Sequence, residues 1–305
     1  MARLALLCPG QGGQSAQMLT LAQSDAAARH WLQRLEADGA VQPAALTMQA
    51  LFDNRLAQPL IVIATLANWL ALRTLLPSPA LVAGYSIGEW SAHAIGGTLT
   101  PDAAVQLARQ RAQAMQDCVL PGVPQRMLAI SGMLTAEVQE FCAHHQLQVA
   151  IITGPDAAII AGVASRVAEA ATILQTMPRC HLTELPVHIA SHTTLMAAAV
   201  PLIHAALDAV PLSAPTLPVL AGVDGSVCHT PQQSRQALLA QITQTIRWDW
   251  CMESLNEAGI TIALELGPGN ALSKMLQARY PQIACRSVAD FRHLEAVADW
   301  VSRQS

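Results

Sequence analysis

Gly84-Tyr85-Ser86-Ile87-Gly88 follows a short apolar run, Leu81-Val82-Ala83, and precedes a stretch of helical character. In that setting a Gly-x-Ser-x-Gly pentapeptide forms a strand-to-helix turn that lifts the serine hydroxyl clear of a sheet, so Ser86 is a candidate nucleophile. The flanking glycines suit a turn that leaves little room for side chains. The Ile87 N–H would then lie unpaired at a helix N-terminus, at the positive end of the dipole, where an oxyanion can be held. On the pentapeptide alone, an ordinary glycine turn with an incidental serine is an equal reading.

A nucleophilic serine needs a base, and the chain has 10 histidines. His93 lies two helical turns beyond Ser86, about 10 Å along the axis, and is expected to pack or face solvent. His144 and His145 fall in a middle segment that reads as an insertion. His30, His204, His229 and His293 have polar or helix-surface contexts. His188 and His192 remain, in Pro186-Val187-His188-Ile189-Ala190-Ser191-His192, where the chain leaves the insertion and re-enters the larger unit. Such crossings are where clefts form.

A third chemical group is Arg111. Thr100 and Pro101 are a good N-cap and first residue for a helix that carries Ala104, Leu107, Ala108, Arg111, Ala114, Met115 and Cys118 on one stripe. Arg111 is therefore expected inside an apolar face, while Arg109 points about 200° away, toward solvent. A buried guanidinium needs a carboxylate, either internal or a substrate's, and the helix alone favours an internal ion pair. Cys8-Pro9-Gly10-Gln11-Gly12-Gly13-Gln14 adds a loop after the first strand whose backbone could present N–H groups to a phosphate or an oxyanion. It matches neither a P-loop nor G-x-G-x-x-G, so no dinucleotide site is expected.

The elements that must position these groups alternate. Strand-like Leu4-Leu7, a helix-rich stretch to Thr74, Leu81-Ala83 and the helices after Ser86 and from Pro101 indicate an α/β architecture with a mostly parallel sheet. The middle reads β-α-β-β-α-β: Met127-Ile130, a helix over 135–145, Gln148-Ile152, Ala158-Ala161, a helix over 165–175 and a strand around His181-Leu185. That order is ferredoxin-like. The expected fold is thus a large α/β-hydrolase-like domain, residues 1–124 and 189–305, with a small ferredoxin-like α+β domain, residues 125–188, inserted between Pro121-Gly122-Val123-Pro124 and Leu185-Pro186. The sheet resumes at Pro218-Ala221 and Thr261-Leu266.

Composition limits the function classes. Hydrophobic residues make up 52% and charged residues 12% of the 305, with a net charge of −4 and scattered basic residues, so no nucleic-acid partner is expected. The apolar stretch from Leu60 to Leu72 is shorter than a membrane span, and the chain opens on a strand-like run, so a cytoplasmic protein without a signal peptide is expected. Seven cysteines without a C-x-x-C pair predict neither a zinc site nor a disulfide framework.

Taken in order, the motifs resemble the malonyl-CoA:acyl-carrier-protein transacylase family almost end to end. Pro9-Gly10-Gln11-Gly12-Gly13-Gln14 is similar to the family's P-G-Q-G-x-Q, Gly84 to Glu89 to G-H-S-x-G-E, and Arg111 with Met115-Gln116 to R-G-x-x-M-Q. Ser191-His192 with Leu195-Met196 is similar to S-H-x-x-L-M, and Gln241, Arg247-Trp248 and Glu265-Leu266-Gly267-Pro268-Gly269 follow in place. The resemblance implies that Ser86 becomes malonylated, that His192 is its base, and that the N–H groups of Gln11 and Ile87 hold the oxyanion. It implies that Arg111 clamps the malonyl carboxylate and that the Gln241 carbonyl orients His192. No tightly bound cofactor is implied; malonyl-CoA and an acyl carrier protein are the substrates.

Two departures stand out: Tyr85 replaces the usual histidine, and Ala112 the glycine after Arg111. With Tyr85 as a candidate substrate-binding residue, the sequence looks like the malonyl transferase (epsilon) subunit of malonate decarboxylase, which loads a specialised carrier bearing a phosphoribosyl-dephospho-CoA group. The alternatives are a transacylase of fatty acid or polyketide synthesis, a serine acyl hydrolase, since the elbow cannot tell water from thiol, and a non-catalytic carrier-docking subunit.

Overall fold

The structure, a computed structural model, describes residues 3–39 and 46–304. Its strands are Leu4–Cys8 (β1), Leu81–Gly84 (β2), Gln125–Ser131 (β3), Gln148–Gly154 (β4), Ala157–Val163 (β5), His181–Glu184 (β6), Val219–Leu220 (β7), Val227–Cys228 (β8), Ile246–Arg247 (β9), Ile262–Glu265 (β10) and Ala284–Ser287 (β11). The helices are Ala26–Ala37 (α1), Met48–Leu51 (α2), Asn54–Leu72 (α3), Gly88–Ile95 (α4), Pro101–Gln116 (α5), Thr135–His144 (α6), Ala164–Leu174 (α7), Ala199–Asp208 (α8), Pro231–Thr243 (α9), Trp248–Glu257 (α10), Ala271–Arg279 (α11) and Leu294–Arg303 (α12).

β1, β2 and β10 are buried along their whole length, as central strands of a helix-covered parallel sheet must be. They are the centre of a six-stranded sheet ordered β11-β10-β1-β2-β7-β8, parallel throughout except for the β7–β8 pair. α3 is long and apolar enough to cross a membrane, but 78% of its most apolar window is buried, as in a core helix. Thr100 caps α5 by accepting from the Ala103 N–H, and Pro101 takes the first helical position as its fixed φ favours. The buried stripe of α5 includes Arg111, while Arg109 is exposed.

The second sheet is ordered β6-β3-β5-β4-β9. Within 125–188 the four strands pair antiparallel in the order last-first-third-second, the ferredoxin-like arrangement. The fifth strand, β9, comes from the C-terminal part of the chain and pairs parallel with β4. Successive side chains of a strand point to opposite faces, and this sheet divides them between two cores. Met127, Ile159 and Ala161 join the core of the large unit, whereas Leu128, Ile130, Ala158 and Ile160 form a separate core with Val138, Cys142 and Val167 of α6 and α7. One face of the small sheet is thereby docked on the large unit, and the chain from β6 to α8 runs through the seam.

Candidate active site

Cys8 at the end of β1 lies opposite Gly84 at the end of β2, so the loops that follow these parallel strands emerge side by side, next to the loop after β10. Ligand sites of open parallel sheets form beyond these carboxyl ends. The turn after β2 has Ser86 at φ +55°, in the left-handed region, and α4 begins two residues later. Both glycines of the pentapeptide are sterically required. A Cβ on Gly88 would come within 2.0 Å of the Cys8 carbonyl oxygen, and one on Gly84 within 2.3 Å of the Glu89 backbone. This is the geometry of a nucleophile elbow.

Ser86 Oγ lies 2.8 Å from His192 Nε2. His192 follows β6 in the seam between the sheets, at φ +62° and 2% exposed. The Ala190 N–H, which donates 2.7 Å to Gln125 Oε1, and Thr193 Oγ1, which donates 2.6 Å to the Ala190 carbonyl, hold this loop. His192 Nδ1 meets the backbone carbonyl of Gln241 on α9. A carbonyl only accepts, so the proton sits on Nδ1 and the lone pair of Nε2 faces the serine. Burial first, and the nearby Arg111 second, push the imidazole down to about 3, against the opposing pull of the Gln241 carbonyl. His192 is therefore neutral and basic in form at neutral pH. His188 is exposed, while His93 is fully buried beside Glu89 and does not face solvent.

Neither the Ile87 nor the Gln11 N–H has an acceptor among the described residues. The Gly12 N–H of the same loop, by contrast, is taken by Gln14 Oε1 at 2.5 Å, and Gln14 is anchored by donating to the Leu51 carbonyl. Ile87 precedes the first turn of α4, so its N–H carries the positive end of that helix.

Arg111 is 1% exposed. In place of the internal carboxylate favoured by the helix alone, its Nη1 donates 2.5 Å to Gln58 Oε1 and its Nη2 donates 3.1 Å to Gln241 Oε1, both neutral amides. Its Nε has no hydrogen-bond partner among the described residues. Burial lowers the guanidinium to about 9, Glu89 opposing, so it is charged at neutral pH. Glu89 is joined to Arg111 by hydrogen bonds through Gln241, whose Nε2 donates 2.8 Å to Glu89 Oε2.

Sequence reasoning missed the partners on α3. Gln58 Nε2 donates to Asn54 Oδ1 at 2.7 Å, Asn54 Nδ2 to the Ala112 carbonyl at 2.9 Å, and Gln11 Nε2 to Asn54 Oδ1 at 3.3 Å. The signal was there: Asn54 and Gln58 are buried polar residues at i, i+4 spacing on an otherwise apolar helix.

A cleft of about 590 Å³ is lined by Gln11, Ser86 and His192 and by Met127 and Ile159 of the small sheet, while Arg111 lies buried behind His192, joined to it through Gln241. Tyr85 lines it too, half-buried, its ring packed edge-on against Trp248 with centroids 5.4 Å apart. Glu265 also borders the cleft but is buried and accepts the Ser273 N–H at 2.8 Å, which ties down the first turn of α11. The arrangement can activate a serine toward an acyl carbonyl and hold the resulting oxyanion, with a buried positive charge linked through Gln241 to the histidine.

The acyl transferase domain model matches residues 5–300. The malonyl CoA-acyl carrier protein transacylase of Mycobacterium tuberculosis is 31% identical, over 97% of this chain and 99% of the relative. The crystal structure of MCAT from the same species superposes with a TM-score of 0.89 at 29% identity, covering 97% of this chain and 99% of that one. FabD from Acinetobacter baumannii gives 0.91 at 28% identity, covering 100% and 99%. With Ser86 on its strand-to-helix turn 2.8 Å from His192 and a match from the first strand to the last helix, the chain belongs to the acyl transferase domain family.

Proposed function

We propose that this protein moves a malonyl group from malonyl-CoA, through an ester on Ser86, to the thiol of an acyl carrier protein. The observation that carries the reading is Arg111: a buried, charged guanidinium joined to the Ser86–His192 pair through Gln241, held by two neutral amides and with donors left over for a carboxylate. The full-length relatives named as malonyl CoA-acyl carrier protein transacylases support it.

In the first half-reaction Ser86 Oγ gives its proton to His192 Nε2 and bonds to the thioester carbon. The N–H groups of Gln11 and Ile87 receive the oxyanion; collapse breaks the carbon–sulfur bond, and CoA leaves with the proton from His192. The carrier thiol then gives its proton to His192, attacks the malonyl ester, and Ser86 recovers its hydroxyl. Through its carbonyl, Gln241 holds the imidazole tautomer. A neutral acceptor stabilises the imidazolium less than a carboxylate would, though it orients the ring equally well. No resident cofactor takes part, and the cytoplasm is the inferred site of action.

A carrier of fatty acid or polyketide synthesis fits the relatives better than the malonate decarboxylase carrier, which rests on Tyr85 alone. The packing of Tyr85 on Trp248 accounts for that aromatic without a special carrier. We expect Arg111→Ala to lower malonyl loading by about a hundredfold, because the acyl carboxylate loses its buried partner, and to abolish the preference for malonyl over acetyl. Equal loading of both groups by the variant and the parent protein would remove Arg111 from the mechanism. Rapid CoA release in the absence of any carrier would favour a hydrolase.

A further inference from the structure

Glu89, one residue past the elbow, is fully buried on α4, yet it touches neither the cleft nor the reacting atoms. Its Oε2 accepts from Gln241 Nε2 at 2.8 Å and packs close to Gly222, while its Oε1 has no hydrogen-bond partner among the described residues and faces His93 Nε2, equally without one among them, at 4.0 Å. Gln241 is thus gripped on both sides: Arg111, which can only donate, demands its oxygen, and the carboxyl of Glu89 takes its amide nitrogen. The main chain of the same residue carries the carbonyl that holds His192.

We propose that Glu89 is a positioning residue for malonyl selection, fixing the Gln241 side chain so that Arg111 keeps the orientation that receives the acyl carboxylate. The proposal rests on the malonyl transfer reading above. What it requires of position 89 is an acceptor at the reach of a glutamate. A glutamine there supplies that acceptor as an amide oxygen, whereas an aspartate keeps the carboxyl but withdraws the acceptor by one methylene. The charged and titratable groups around Glu89 are His93 on its own helix, Arg111 on α5, Asp224 between β7 and β8, Cys228 on β8 and Cys251 on α10. Of these, only Arg111 is linked to it through Gln241.

The test is a competition between malonyl-CoA and acetyl-CoA for Ser86, read as adduct ratios by intact-protein mass spectrometry on parent, Glu89→Gln and Glu89→Asp proteins, with KM and kcat of loading measured in parallel. Glu89→Gln is expected to keep the malonyl preference within about threefold. Glu89→Asp is expected to lose about tenfold of it, mainly through KM, since substrate binding rather than the serine–histidine chemistry is disturbed. A purely structural role would lower both loadings together and leave the ratio unchanged in both variants, which overturns the proposal. Loss of preference in Glu89→Gln overturns it as well, because the carboxyl itself rather than its reach would then be the operative property. Failure of the parent protein itself to take up malonyl would instead refute the transfer reading on which the proposal stands.

Discussion

Ser86 and His192 both occupy left-handed backbone conformations, which cost a non-glycine residue roughly 1–2 kcal/mol each. Neighbouring hydrogen bonds sustain them: Glu89 N–H to the Ser86 carbonyl at 3.0 Å on one side, and the Ala190 and Thr193 bonds on the other. The result is a 2.8 Å contact between a hydroxyl and a neutral imidazole. Because His192 is pushed down to about 3, chiefly by burial, its basic form persists as pH falls. The rate of Ser86 loading should therefore stay within about twofold from pH 7 to pH 5.5, where an unshifted histidine would lose about tenfold of its basic form. A loading rate that halves near pH 6.5 in a stopped-flow series would contradict this environment for His192. At this scale Ser86 and Arg111 were legible because motif spacing and helical phase expose them. The choice between His188 and His192 was not legible from the segment alone, since the positive φ that turns His192 inward falls on a residue without the usual glycine signature. Nor were the partners of Arg111, which lie 53 and 130 residues away in sequence on two other helices.

Three loops at the carboxyl ends of β10, β1 and β2 meet at the cleft, and the tightness of their packing decides which residues can occupy them. Gly88 is the sharpest case. With the Cys8 carbonyl oxygen 2.0 Å from where a Cβ would sit, Gly88→Ala must separate α4 from the end of β1. We expect it to destabilise the protein by about 3 kcal/mol and to lower Ser86 loading, measured by denaturant unfolding beside the loading rate. Parent-like stability and loading would show that the elbow does not depend on this approach. α3 acts as a polar spine within an apolar helix: Asn54 reaches Gln11, Gln58 reaches Arg111, and Asn68 Nδ2 donates 2.7 Å to the Leu266 carbonyl in the loop after β10. The long strands and the α5 cap could be read from the sequence because fully apolar runs and a Thr-Pro start are strong local signals. The two-residue strands β8 and β9 carry no periodicity of their own and exist only through their neighbours, Val219–Leu220 and Ile151–Ile152.

The two sheets meet so that the side chains of one strand serve two cores, which lets a small unit close over the carboxyl edge of a large one without a separate interface. β9 reinforces this by adding a strand from the C-terminal part of the chain to the small sheet, an association that the β-α-β-β-α-β order of the insertion does not foretell. The cleft between them brings Met127, Ile151 and Ile159 of the small sheet opposite the polar groups of Ser86, His192 and Gln11, where an acyl carbonyl can meet the hydroxyl. The central claim, that this architecture forms a malonyl ester on one serine, is tested most directly by intact-protein mass spectrometry after brief incubation with malonyl-CoA, beside acetyl-CoA and a Ser86→Ala control. The predicted result is a single malonyl adduct on the parent protein, far weaker with acetyl-CoA and absent from Ser86→Ala. An adduct that survives in Ser86→Ala, or no adduct on the parent protein while free CoA accumulates, would contradict the account.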